Sequence, residues 1–232
     1  AIFGAYNAET GERLINEFFL LISKKNTKST IAAGIMLTAL ILNWRNSAEL
    51  LILAPTKEVA DNSFIPVRDM IKADVELSAL FNISEHTKTI THRVTQATLK
   101  VVAADTNSVG GKKASYILVD EVHLFGKING SESMLREARG GLASRPEGFT
   151  IYLTTQSDEQ PSGVMASQLS YARAVRDGRI DNPSYLPVLY EFPKKFIEEG
   201  LYKDPKYFYV TNPNLGASVS EKFLLTEYQK AE

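Results

Sequence analysis

The run Tyr116-Ile117-Leu118-Val119-Asp120-Glu121 constrains the fold more than any other segment, because four consecutive apolar or aromatic residues lead straight into two adjacent carboxylates. An unbroken apolar run reads as a strand covered on both faces. That is the habit of parallel sheets with crossover helices, and such a strand delivers its carboxyl end to the edge where ligands bind. Neighbouring carboxylates repel, so Asp120 and Glu121 need a cation, a hydrogen-bond network or water to compensate them. A solvated strand end would serve equally well if nothing else in the chain asked for a cation.

A second motif upstream does ask for one. Ser23-Lys24-Lys25-Asn26-Thr27-Lys28-Ser29-Thr30 follows the apolar stretch Phe18-Phe19-Leu20-Leu21-Ile22 and precedes a helical pattern over 31–42. Strand, polar loop and helix is the setting of a phosphate loop: Lys28 can reach terminal phosphates, Ser29 can ligate magnesium, and the free N–H groups of the helix start receive anionic oxygens. The acidic pair then has a matching task, Asp120 orienting the water shell of the metal and Glu121 polarising the attacking water. Against the pattern G-x-x-x-x-G-K-[ST], however, Ile22 and Thr27 stand where the glycines belong. A β-branched threonine at positive φ is strained by about 1–3 kcal/mol, so the loop either takes another shape or binds phosphate weakly. Without the acidic strand, a basic loop capped by Ser and Thr would account for these residues.

Apolar strand-like runs alternate with helical stretches, which predicts an α/β fold: a mainly parallel sheet flanked by helices. Strands are expected at 17–23, 49–55, 115–120, 149–155 and 186–192, and helices at 29–42, 57–72, 131–139 and 162–177, with Pro66 kinking or ending the second helix. Residues 87–94 and 97–104 alternate apolar and polar about Thr95-Gln96, predicting a peripheral hairpin or strand pair. After Pro193 the chain turns to short segments rich in Tyr, Lys and Pro. The expected organisation is therefore a core over 1–192 and a smaller unit over 193–232.

Composition limits the chemistry. With 26 basic and 27 acidic residues the net charge is −1, so no global field draws in nucleic acid. Zero cysteines exclude disulfides and thiolate metal sites, and His86, His92 and His123 have no zinc spacing. The apolar stretches are too short to span a membrane, and a soluble intracellular protein is expected. A chain that begins at Ala1 without methionine and stops within a helical pattern is expected to be a piece of a longer polypeptide.

The phosphate-loop segment, then Leu53-Ala54-Pro55-Thr56-Lys57-Glu58-Val59-Ala60, then Val119-Asp120-Glu121-Val122-His123, then Tyr152-Leu153-Thr154-Thr155-Gln156-Ser157 resemble, in order and spacing, the motifs of the ATPase domain of tailed-bacteriophage large terminase subunits. The resemblance implies a P-loop NTPase-like core and a small C-terminal lid or linker subdomain, with the family's separate nuclease domain lying outside this chain. It implies ATP and Mg2+ as cofactors, double-stranded DNA as the translocated substrate, and the portal protein and small terminase subunit as partners. A homo-oligomeric ring at the procapsid in the host cytoplasm is implied too, with the isolated domain monomeric. On the same basis Thr154, Thr155 and Gln156 couple hydrolysis to movement, although a strand-terminal turn would also use such residues. Members usually carry glycine where Thr27 stands, which bears on nucleotide affinity more than on the fold.

Phosphoryl transfer benefits from an arginine, often a neighbour's. Arg145 is the first candidate and Arg139 the second, with Lys24 or Lys25 as alternative sensors inside the loop. Asn107-Ser108-Val109-Gly110-Gly111-Lys112-Lys113 and the lysines Lys194, Lys195, Lys203 and Lys206 are candidate DNA-backbone contacts, and Tyr6 with the turn at 7–11 is a candidate flank for adenine. Two alternatives stand beside the packaging motor: a helicase-like remodelling ATPase, and a nucleotide-independent docking module with a degenerate loop.

Overall fold

The computed structural model describes residues 1–104 and 114–231. The candidate loop at 107–113 lies outside the described residues.

The chain alternates strand and helix as its apolar periodicity dictates. Strand β1 (Glu17–Leu21) leads into helix α1 (Lys28–Leu42), β2 (Glu49–Ala54) into α2 (Lys57–Lys72), and a short α3 (Val75–Leu80) precedes β3 (Phe81–Ser84), β4 (Thr89–His92) and β5 (Thr98–Ala103). Then come β6 (Ala114–Val119), α4 (Val122–Phe125), α5 (Ser131–Gly140), β7 (Phe149–Thr154), α6 (Gly163–Arg176) and β8 (Tyr185–Leu189), followed by α7 (Lys194–Glu198), two 3-10 turns and α8 (Glu221–Ala231). The five expected long strands and four expected helices are all present, with ends that differ by a few residues.

Among the described residues, eight strands form one sheet in the order β3-β4-β5-β2-β6-β7-β1-β8. From β5 to β8 every pairing is parallel; β3-β4 and β4-β5 are antiparallel. Side chains alternate between the two faces, so each inner strand feeds two cores. Phe18, Leu50, Ile52, Tyr116, Leu118, Phe149 and Ile151 pack on one side under α1 and α2, while Phe19, Leu51, Leu53, Ile117, Val119 and Tyr152 pack on the other under α4, α5 and α6. Each fully buried large apolar side chain contributes about 1.5–3 kcal/mol, which explains why the runs lack the polar alternation of a half-exposed sheet.

One expectation needs correction. The strand pair at 87–104 is not peripheral as a unit: β4 does lie toward the edge, but β5 is an inner strand, paired in parallel with β2 and buried through Leu99, Val101 and Val102. Its alternation is imperfect for that reason, since it has apolar neighbours on both faces. Of the two outcomes expected at Pro66, an end to the helix does not occur: α2 runs over the expected 57–72. Ala60, Phe64, Val67 and Ile71 form a continuous buried stripe against the sheet on both sides of the proline, and their burial outweighs the one missing backbone donor. The brief elements α3, β3 and α4 had no distinct periodic signal.

A candidate nucleotide site at the carboxyl edge of the sheet

In the sheet order β7 separates β6 from β1, so the carboxyl ends of three neighbouring strands open onto one edge. The loop after β1 carries residues 22–27, β6 ends at Asp120 and Glu121, and β7 ends at Thr154. Backbone bonds carry the pairing past the strand ends, from the Ile22 amide to the Thr154 carbonyl (3.1 Å) and from the Asp120 amide to the Leu53 carbonyl (2.9 Å).

Lys28 opens α1 and is almost wholly buried. Its Nζ lies 2.8 Å from Asp120 Oδ1 and 2.9 Å from Glu121 Oε1, so one ammonium bridges the two carboxylates that the sequence left uncompensated. Asp120 is 1% exposed and is held on its other side by the hydroxyl of Ser63 in α2, which donates to Oδ2 at 2.9 Å. The Glu121 amide donates to Asp120 Oδ1 at 3.0 Å. Glu121 has left-handed backbone angles, φ 53° and ψ 51°, a strain that tends to collect at functional sites. Its second oxygen, Oε2, is buried without a hydrogen bond among the described residues and faces His123 Nδ1 at 3.4 Å.

The loop itself takes the shape that glycine normally supplies. Thr27 is left-handed at φ 58°, and so is Lys25 at φ 68°. The strain expected of a β-branched residue there is therefore present. Asn26 between them is buried and turns its amide group inward to the carbonyls of Ser23 and Lys24, both at 3.2 Å. Ser29 and Thr30 lie in the first turn of α1, whose amides have no intrahelical acceptor. Lys24 and Lys25 are exposed at the rim.

Magnesium takes one or two carboxylates and completes its shell with water and phosphate oxygens, so a set of Ser29 and Asp120 suits it. The Lys28 ammonium already sits as a cation against Asp120, and the orphaned Glu121 oxygen lies beside it; both features fit residues built around positive charge.

The end of β7 is tied to the helix that follows Glu121: Thr154 Oγ1 accepts from the His123 amide at 3.1 Å and donates to the Thr155 carbonyl at 3.0 Å. Thr155 Oγ1 is buried without a partner among the described residues, whereas Gln156 is exposed and lines a cleft with Ser23. Burial holds His123 below its ordinary pKa, with Lys28 and Lys24 adding to the depression and Glu121 opposing it.

The family profile for the terminase large subunit ATPase domain matches residues 1–174. The chain belongs to that family. Among solved structures it is similar to the large terminase of HK97 bacteriophage, with a TM-score of 0.76 and 21% identity over 94% of this chain and 43% of that one. The Thermus phage P74-26 large terminase ATPase domain matches with a TM-score of 0.54 and 13% identity, over 83% of this chain and 82% of that one. The large terminase of a thermophilic bacteriophage in complex with ATP-gamma-S matches with a TM-score of 0.52 and 13% identity, over 82% and 44%. At these identities the likeness is one of fold, and the chain spans less than half of the HK97 protein. Among curated proteins, none matches the chain.

Within this terminase ATPase domain the candidate arginines lie away from the phosphate loop. Arg139 bonds Glu17, the first residue of β1, at 3.1 Å, and with Arg136 and Arg145 it lines a cleft at the amino edge of the sheet. A strand of five residues spans about 17 Å, so neither Arg139 nor Arg145 reaches the loop of its own chain. Tyr6 is likewise misplaced as an adenine flank. Its hydroxyl accepts from Arg13 at 2.6 Å, and it shares a cleft with Ala39 and Leu42 at the far end of α1 from the loop. Lys194, Lys195 and Lys206 each face an acid, Glu198, Glu199 and Asp204, which leaves little net positive charge for DNA.

The sequence drew no attention to Ser63, and His123 entered as the last residue of the acidic motif and as a poor zinc ligand, with no role of its own at the site. For Ser63 no signal existed, because a serine inside an amphipathic helix reads as an ordinary polar position. His123 could have been found from its place two residues after Glu121.

Proposed function

We propose that this chain is the ATP-hydrolysing motor part of a DNA-packaging terminase, which spends each hydrolysis cycle on moving double-stranded DNA into a procapsid. The observation that carries the reading is Lys28 Nζ lying between Asp120 and Glu121 at the start of α1. A lysine so placed exchanges carboxylate partners for the terminal phosphate oxygens when nucleotide enters, and the amides of the loop and first helical turn receive the remaining negative charge. Ser29 and Asp120 would hold Mg2+, which would supply positive charge against the phosphates. Released from Lys28, Glu121 turns its carboxylate to the attacking water and accepts its proton. Ser63 keeps Asp120 oriented. Thr154, Thr155 and Gln156, bonded through Thr154 to the backbone after Glu121, relay the state of the site to the rest of the fold.

Arg145, or Arg139, acts on the site of a neighbouring subunit in a homo-oligomeric ring, the arrangement that its place on the opposite edge favours; Lys24 or Lys25 senses phosphate from within the loop. Residues 193–232 serve as lid or linker. The portal protein and the small terminase subunit are the assembly partners, and the work takes place in the host cytoplasm. Calorimetric titration with a non-hydrolysable ATP analogue and Mg2+ tests the reading. Binding that is lost in Lys28→Ala supports it, and absence of binding by the unaltered chain favours a docking module with a degenerate loop.

A further inference from the structure

The chain returns to the phosphate loop nearly two hundred residues later. After the 3-10 turn Pro205–Val210, Asn212 Oδ1 accepts from Asn26 Nδ2 at 3.0 Å, and the Asn214 amide donates to Asn26 Oδ1 at 3.0 Å. Asn214 Nδ2 donates to Thr27 Oγ1 at 2.7 Å, and Ser218 Oγ donates to the Lys25 carbonyl at 2.6 Å. The orientation of the Asn26 amide is over-determined: its nitrogen faces three acceptors and its oxygen faces a backbone donor. Asn26 and Asn212 are both buried. The returning segment is braced by its own bonds, Asn212 Nδ2 to the Phe208 carbonyl at 3.0 Å and the Gly216 amide to the Val219 carbonyl at 2.8 Å.

These contacts fall where the loop is strained. Lys25 and Thr27 are its two left-handed residues, and the bonds from 212–218 go to Lys25, to Thr27 and to Asn26 between them. One bond uses the hydroxyl that a glycine at position 27 would lack. Left-handed angles at non-glycine residues persist when the surroundings over-determine them, and here the surroundings are a segment remote in sequence.

We propose that Asn214, Asn212 and Ser218 are positioning residues of the nucleotide site, acting through Thr27, Asn26 and Lys25 to hold the loop in its anion-receiving shape without glycine. The proposal rests on the loop being a nucleotide phosphate site. Linkage makes the effect reciprocal, so bound nucleotide stabilises the docked segment.

A double-mutant cycle tests it: the imido analogue of ATP with Mg2+ is titrated into the unaltered chain, Asn214→Ala, Thr27→Gly and the double variant, each checked for folding by thermal unfolding. Asn214→Ala is expected to weaken binding about tenfold in the threonine background, the loss of one hydrogen bond to a strained loop, and by less than about twofold in the glycine background. Equal losses in both backgrounds, or no loss in either, overturn the proposal. Ser218→Ala, whose hydroxyl donates to the Lys25 carbonyl and accepts from Asn214 Nδ2, is expected to weaken binding several-fold and serves if Asn214→Ala fails to fold; unchanged affinity there overturns the proposal as well. Hydrogen exchange gives an independent reading, because the analogue should slow exchange of the Asn214 amide. Protection of the loop without protection of Asn214 would count against the clamp. Failure of the unaltered chain to bind refutes the nucleotide reading itself, whereas normal binding by all variants refutes only the clamp.

Discussion

Lys28 carries two duties that mutation separates. It is the cation for a buried carboxylate and the ligand for a phosphate, so its removal affects stability as well as binding. Lys28→Ala leaves Asp120 buried with Ser63 and a backbone amide as its partners among the described residues, and denaturant unfolding should show a loss of about 3 kcal/mol at neutral pH. Glu121 is more exposed, and its backbone angles belong to the fold, so Glu121→Gln should change stability little while reducing turnover by at least about a thousandfold with nucleotide affinity kept. Steady-state hydrolysis beside calorimetry separates the two, and unchanged turnover would remove Glu121 from the mechanism. His123 adds a pH dependence. Its folded pKa lies below the ordinary 6.5, so as pH falls through that value the unfolded chain takes up the proton first and stability drops. Comparing unfolding free energies of the unaltered chain and His123→Gln should give a difference that is constant above pH 6.5 and shifts in favour of the variant below it.

Elements are joined here by close backbone approaches that tolerate no side chain. A Cβ added at Gly148, in the turn before β7, would stand 2.4 Å from the Ser115 carbonyl oxygen of β6, and one at Gly126, after α4, would stand 2.3 Å from the Ser162 carbonyl oxygen at the start of α6. Neither obstacle is the movable tip of a side chain. Gly148→Ala or Gly126→Ala should therefore cost about 1–3 kcal/mol in denaturant unfolding, and Gly126→Ala should also disturb the site, since α4 begins directly after Glu121. An alanine tolerated at either position would mean that the two backbones move apart at little cost. The same scale explains α2, where a buried stripe carries the helix through a residue that local rules would read as a stop.

Across the whole molecule, the two edges of the sheet hold different groups. The carboxyl edge gathers the phosphate loop, Asp120, Glu121 and Thr154; the amino edge gathers Arg136, Arg139 and Arg145 with Glu17. If Arg145 serves a neighbouring subunit, Arg145→Ala should leave nucleotide affinity intact and slow turnover, and turnover per chain by the unaltered protein should rise with protein concentration. Concentration-independent turnover would remove the arginine from that role. The core beneath both edges is shared. Phe149 meets Phe3, Phe18 and Tyr116 edge-on, linking β7 to β1, β6 and the N-terminal segment, and Phe149→Ala should cost about 3–5 kcal/mol by chemical denaturation.

The unbroken apolar runs, the lysine and serine at a helix start and the paired carboxylates were readable from the chain, and with them the parallel sheet and the edge on which chemistry would gather. Those features are local, since strand burial and helix capping depend on neighbours in sequence. Ser63 beside Asp120 and β5 as an inner strand were not readable, because each depends on which elements become neighbours, and strand order is set by the packing of the whole sheet. The clearest case is Thr27. Its left-handed angles follow from its position in the loop, but what holds a threonine there is Asn214, brought to it only by the tertiary path of the chain.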